Sequence, residues 1–157
     1  MSSVFYRRLG RILEIVLIAL MVLAVGVMIS LPWTITLITG AVPGLAEGPE
    51  AWLYEKYLGL LLVSGCFAEL ILWQVRGIVH NVNKQRPFCT DTVRRLEVCG
   101  IECFILSVMY LVSMLLIAKF FMAIVAIVFV VVACVLLVLA DLFRQAAGFK
   151  EENDMTI

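Results

Sequence analysis

The chain has 157 residues and a formal net charge of zero; 64% of its residues are hydrophobic and only 15% are charged. A soluble domain runs at roughly 45–50% apolar and about 25% charged, and a mean hydropathy of +1.09 over 17.5 kDa leaves too few polar residues to cover so small a particle. These figures exclude a soluble enzyme, a nucleic-acid-binding domain and a disordered tail, and leave a polytopic membrane protein of one domain.

A helix needs about 20 apolar residues to cross a hydrocarbon core of about 30 Å. The first stretch that qualifies is about 12–39, interrupted only by Glu14 and Pro32. Arg7, Arg8 and Arg11 before it look like the start of a secretory signal. The apolar run is about twice the usual signal length, however, and no small-residue cleavage site closes it, so it reads as an uncleaved span. Pro32 is expected to kink it, because its ring removes a backbone donor and crowds the preceding turn. A loop of about 40–56 follows, with Pro43, Gly44, Gly48 and Pro49 as turn formers. Trp52, Tyr54 and Tyr57 suit an interfacial aromatic belt. The second span is about 57–78, then comes a polar loop, 79–97. The third span is about 98–118, a tight turn falls near Lys119, and the fourth span is about 120–143, with a tail of 144–157. The runs are too long and uninterrupted for barrel strands. Backbone polar groups in lipid must be satisfied internally, so the spans are helices. The expected fold is all-α, with four transmembrane helices in an up-down bundle.

Ten of the twelve basic residues fall on one side: Arg7, Arg8, Arg11, Arg76, Lys84, Arg86, Arg94, Arg95, Arg144 and Lys150. Only Lys56 and Lys119 fall on the other. The positive-inside rule then places both termini and the middle loop in the cytoplasm, and an even number of spans agrees.

Chemistry-bearing residues are few. The five cysteines, Cys66, Cys89, Cys99, Cys103 and Cys134, read as free thiols filling helix contacts. Two thiols at i, i+4 and a single histidine, His80, do not make a metal site, so no metal or other cofactor is expected. Carboxylates in the spans are costly, on the order of 2.5–3.5 kcal/mol on insertion scales for comparable charged groups. Glu69 is the deepest, Glu102 lies in the inner part of span three, and Arg76 sits two turns from Glu69 on roughly the same face. These three form the candidate intramembrane polar site, for which a packing contact is weighed ahead of a proton or ion relay. Glu14, Glu102 and Asp141 are expected to snorkel to the inner interface or to pair with loop arginines.

In the middle loop, Pro87 pushes Arg86 out of the helical region, and Thr90 is the expected N-cap, with Asp91 complementing the dipole. Arg94 and Arg95 are expected to face headgroups. The loop residues Arg86, Pro87, Phe88, Arg94 and Arg95, with Glu151, Glu152, Asp154 and Ile157 of the tail, are the candidate partner-binding residues. A solvated tail and a lipid-facing basic patch are the plainer readings of the same segments.

The segment Asn83-Lys84-Gln85-Arg86-Pro87-Phe88 through Arg94-Arg95-Leu96 resembles a YoaS-like family of bacterial four-helix membrane proteins of unknown function. So does the ending Leu139-Ala140-Asp141-Leu142-Phe143-Arg144 with Glu151-Glu152-Asn153-Asp154-Met155-Thr156-Ile157. Members carry a "pF…eNv.rLr" loop and end in "l.eEqDLTI"; this chain departs at Cys89-Thr90-Asp91-Thr92 and at Met155. The resemblance implies location in the bacterial cytoplasmic membrane and no known enzyme activity. It also implies a small helix-turn-helix transcriptional regulator as partner, since such regulators are often encoded beside family members.

Three functions follow as expectations. The first is a membrane-embedded regulatory or sensor subunit whose cytoplasmic loop and tail engage that regulator, with the bilayer as its other partner and no direct nucleic-acid binding. The second is a small transporter or proton-coupled carrier using Glu69, which with four spans requires a homo-oligomer. The third, an enzyme acting on lipid or quinone, ranks last, because no nucleophile–base pair, phosphate loop or metal constellation is present.

Overall fold

Apolar runs of this length satisfy their backbone only as helices. In the computed structural model the chain forms four: α1 (Ser2–Thr39), α2 (Pro49–Asn83), α3 (Thr90–Ile117) and α4 (Phe121–Asp154). The structure describes residues 2–39, 49–84, 88–117 and 119–154, with side chains over 10–37, 52–84, 88–117 and 119–149. Each helix contains a stretch long and apolar enough to cross a membrane, and exposed Ile29, Trp33, Leu37, Leu115 and Val131 have no place in water. The chain is a multi-pass membrane protein.

The helices pack in chain order, α1 on α2, α2 on α3 and α3 on α4, and among the described residues no contact closes α1 onto α4. The directions alternate. Tyr54, near the start of α2, donates through its hydroxyl to the Pro32 carbonyl near the end of α1 at 3.4 Å. Lys56 Nζ donates to the Leu116 carbonyl at the end of α3 at 3.4 Å, satisfying an acceptor that a helix C-terminus leaves open. The same ammonium stands 3.3 Å over the Trp52 ring. Tyr54 is therefore buried rather than part of an outward belt, while Trp52 stays exposed.

α1 runs through Pro32 without interruption. Around it, Thr34 Oγ1 donates to the Ser30 carbonyl at 3.1 Å and Thr36 Oγ1 to the Pro32 carbonyl at 2.8 Å. Such side-chain donors re-satisfy backbone near a proline in a spanning helix.

α3 is the most enclosed helix, and its contact with α4 explains why. Ala126, Ala133 and Ala140, seven residues apart and almost fully buried, form a shallow stripe on α4. Small residues let helices approach closely where lipid offers no hydrophobic drive to pack. Opposite them, Ser107 Oγ donates to the Ala126 carbonyl at 2.8 Å. Gly100 lies where a Cβ would stand 2.9 Å from Leu137 and 3.4 Å from the Ala133 carbonyl. A tight hairpin through Lys119 joins the two helices, its turn closed by Met122 N–H and Ala123 N–H donating to the Lys119 and Phe120 carbonyls.

Candidate functional site

The polar stretch read as a loop over 79–97 is taken up mostly by helix ends: α2 continues to Asn83 and α3 begins at Thr90. Its polar side chains therefore project from ordered helix and meet across it. Asn81 Nδ2 donates to Asp91 Oδ2 at 2.8 Å and to Thr92 Oγ1 at 3.1 Å. Arg95 Nε donates to the same Asp91 oxygen at 2.8 Å, and its Nη1 to Gln74 Oε1 at 3.1 Å. Arg95 thus turns inward onto α2 instead of facing headgroups. Gly77 makes this approach possible, because a Cβ there would collide with the guanidinium.

The network extends to α1, where Glu14 Oε1 lies 3.5 Å from His80 Nδ1 and Asn83 Nδ2 donates to Glu14 Oε2 at 3.5 Å. It extends to α4 through an ion pair between Arg144 and Glu97 and through the Phe88 and Phe143 rings, 5.2 Å apart and tilted at 45°. Half-exposed pairs of this kind contribute about 0–1 kcal/mol each. Their effect is to fix the register of the four helix ends rather than to hold the bundle together.

The N-cap lies one residue earlier than the sequence suggests. Thr92 N–H and Val93 N–H both donate to the Cys89 carbonyl, at 3.0 and 3.2 Å, and the Cys89 thiol stands 3.2 Å from Thr92 Oγ1. The cap falls where the first intrahelical acceptor is, at Cys89. Burial and the Asp91 charge push the Cys89 thiol up. Hydrogen bonds from the Thr92 hydroxyl and from the Thr92 and Asp91 amides outweigh them, leaving it below the ordinary thiol range.

In mid-membrane, Glu69 and Glu102 do not pair with arginine. The antiparallel register set by Asn81–Asp91, Gln74–Arg95 and Lys56–Leu116 puts them at the same depth. Glu69 Oε1 and Glu102 Oε2 are each buried with no hydrogen-bond partner among the described residues. Arg76 stays apart from both, 5.7 Å over the Trp73 ring. Asp141 accepts from Gln145 Nε2 at 2.9 Å. Phe88, Arg94 and Arg95 all lie at the polar end, Phe88 against Phe143 of α4 and Arg95 against Gln74 of α2. Arg86, Pro87 and Ile157, and the side chains of Glu151, Glu152 and Asp154, lie outside the described residues. No group of three potential metal ligands occurs among the described residues. The role of Glu14, His80, Asn81 and Gln74 as connectors was not legible in sequence, because each is an ordinary interfacial polar residue until its partner is placed.

Residues 43–157 match the family described as "Protein of unknown function (DUF2975)". The chain belongs to that family. The match spans α2, α3 and α4 and includes both segments that meet at the polar end, around Phe88–Glu97 and around Phe143–Arg144. No curated protein and no solved structure matches the chain.

Proposed function

We propose that this protein is a regulatory or sensor subunit of the bacterial cytoplasmic membrane, within the YoaS-like branch of its family. Both termini and the 84–89 connection face the cytoplasm, as the ten-to-two distribution of basic residues supports. It performs no catalysis of its own and does not contact nucleic acid. Its loop and tail bind a small helix-turn-helix regulator. The observation that carries the reading is the convergence of the two family-like segments through Phe88–Phe143 and Glu97–Arg144. This builds one surface beside exposed Arg94, and α4 continues beyond it to Asp154. Crosslinking followed by purification is expected to recover a regulator encoded nearby from the full-length chain, and to lose it on deletion of 151–157. Absence of any such species from the full-length sample overturns the proposal.

The orientation has its own check. Cys89 is expected to react with a membrane-impermeant maleimide in inverted vesicles and not in intact spheroplasts, with Cys89→Ser abolishing that signal. Its depressed thiol pKa means the rate rises with pH and levels off earlier than for an ordinary thiol. Labelling from outside intact cells would reverse the topology.

A second reading, a proton-coupled carrier working as a homo-oligomer, is favoured by the unpartnered buried oxygens of Glu69 and Glu102.

A further inference from the structure

Two clefts lie along α2. One is a polar cleft of about 240 Å³ at the loop end, lined by Glu14, Trp73, Arg76, Gly77, His80 and Arg95. The other is apolar, about 620 Å³, lying deeper between α1 and α2 with Leu106 and Tyr110 of α3 and Phe129 of α4 at its back. Its size falls in the range of about 300–1,000 Å³ typical of ligand sites. The two follow one face of α2: Ala68 and Leu72 line the apolar part, and Arg76 and His80 succeed them at four-residue steps in the polar part.

We propose that these clefts together hold one anionic phospholipid, its phosphate between Arg76 and Arg95 and an acyl chain along α1 and α2. Charge complementarity points to this occupant. Arg76 makes no ion pair among the described residues and only stacks near Trp73. Arg95 spends Nε on Asp91 and Nη1 on Gln74, which fixes the guanidinium in place with Nη2 unspent among the described residues. A guanidinium held this way is suited to phosphate. Glu14, the acidic group in the polar cleft, is engaged by His80 and Asn83 and makes no ion pair with Arg76 among the described residues. Trp73 marks the depth at which headgroup and chain meet.

The test uses the full-length chain in neutral detergent, with native mass spectrometry reading bound lipid. Dioleoylphosphatidylglycerol is the anionic probe and dioleoylphosphatidylcholine the zwitterionic one. One phosphatidylglycerol is expected to bind per chain in preference to phosphatidylcholine. Arg76→Gln is expected to weaken it about tenfold, the size of one charge-assisted hydrogen bond, and to weaken phosphatidylcholine less, because the choline cation already offsets that phosphate's charge. Lys84→Gln, an exposed cation at the same end, is expected to leave both unchanged. Ala68→Trp fills the apolar cleft and is expected to weaken both lipids. Inorganic phosphate at millimolar concentration is expected not to displace the lipid. Arg76→Gln must elute and unfold like the parent, and Arg76→Lys, which keeps the charge, should recover part of the preference. Equal binding of the two lipids, equal losses in Arg76→Gln and Lys84→Gln, displacement by phosphate, or a dimer that excludes lipid would each overturn the proposal.

Discussion

Ala133→Phe is expected to destabilise the protein by about 3 kcal/mol, the upper end of the usual overpacking range. Ala133 is 1% exposed, in the middle of the stripe that faces α3. Room for a larger side chain is lacking, because α3 and α4 approach closely here. Gly100 brings the two helices so close that its Cβ position lies 3.4 Å from the Ala133 carbonyl. A benzyl group must therefore push the helices apart, and separation strains the Ser107 hydrogen bond to Ala126. Inside a membrane that bond is worth only about 0.6 kcal/mol, so packing and not hydrogen bonding carries the loss. Unfolding in mixed micelles on titration with sodium dodecyl sulfate measures it. Val131→Phe, on the exposed side of the same helix, is the matched control and should change little. Equal stabilities of the two variants would mean that the α3–α4 contact is not the centre of the fold.

The four spans and the Lys119 hairpin were legible because each reports on one variable, the cost of placing a side chain in hydrocarbon. Which helix sits in the middle was not. In water a buried face is more apolar than an exposed one, but in lipid both are apolar, so hydropathy does not separate the exposed Val131 from a core position. Mean hydropathy in fact points the wrong way: α1 and α4 are more apolar than α3, yet α3 is the enclosed one. Its enclosure is written in small and polar residues instead, in Gly100, Cys103 and Ser107 against Ala126 and Ala133. A seven-residue alanine spacing was the available signal. The polar end was half legible. The concentration of Arg, Asp and Asn over 79–97 showed that something polar happens there. The inward turn of Arg95 depends on Gly77, eighteen residues earlier in sequence, and only the α2–α3 register brings them together. The cap at Cys89 rather than Thr90 was missed because a thiol is a weak hydrogen-bonding group, and residue preference alone favours the hydroxyl.

Glu102→Met is expected to raise stability, by about 1–3 kcal/mol, the usual cost of a buried polar group left without a partner. Glu102 is 8% exposed and its Oε2 is unpartnered among the described residues. It lies on the face of α3 that also carries buried Cys99 and Cys103. Methionine keeps the length of the side chain and removes the oxygens, so no cavity offsets the gain. The same titration in mixed micelles reads the change, and a loss of similar size would show that the carboxyl holds a partner worth more than its desolvation. Proteins keep a costly buried group mainly where it works, so the functional consequence of the same substitution separates the two readings. If the protein is a carrier, proton-coupled flux in proteoliposomes should disappear in Glu69→Gln and in Glu102→Met, the latter despite its greater stability. If it is a regulatory subunit, both variants should still be crosslinked to the regulator at the loop end, and the parent should show no flux. A parent that conducts protons while Glu69→Gln conducts equally well would remove Glu69 from the path and with it the carrier reading.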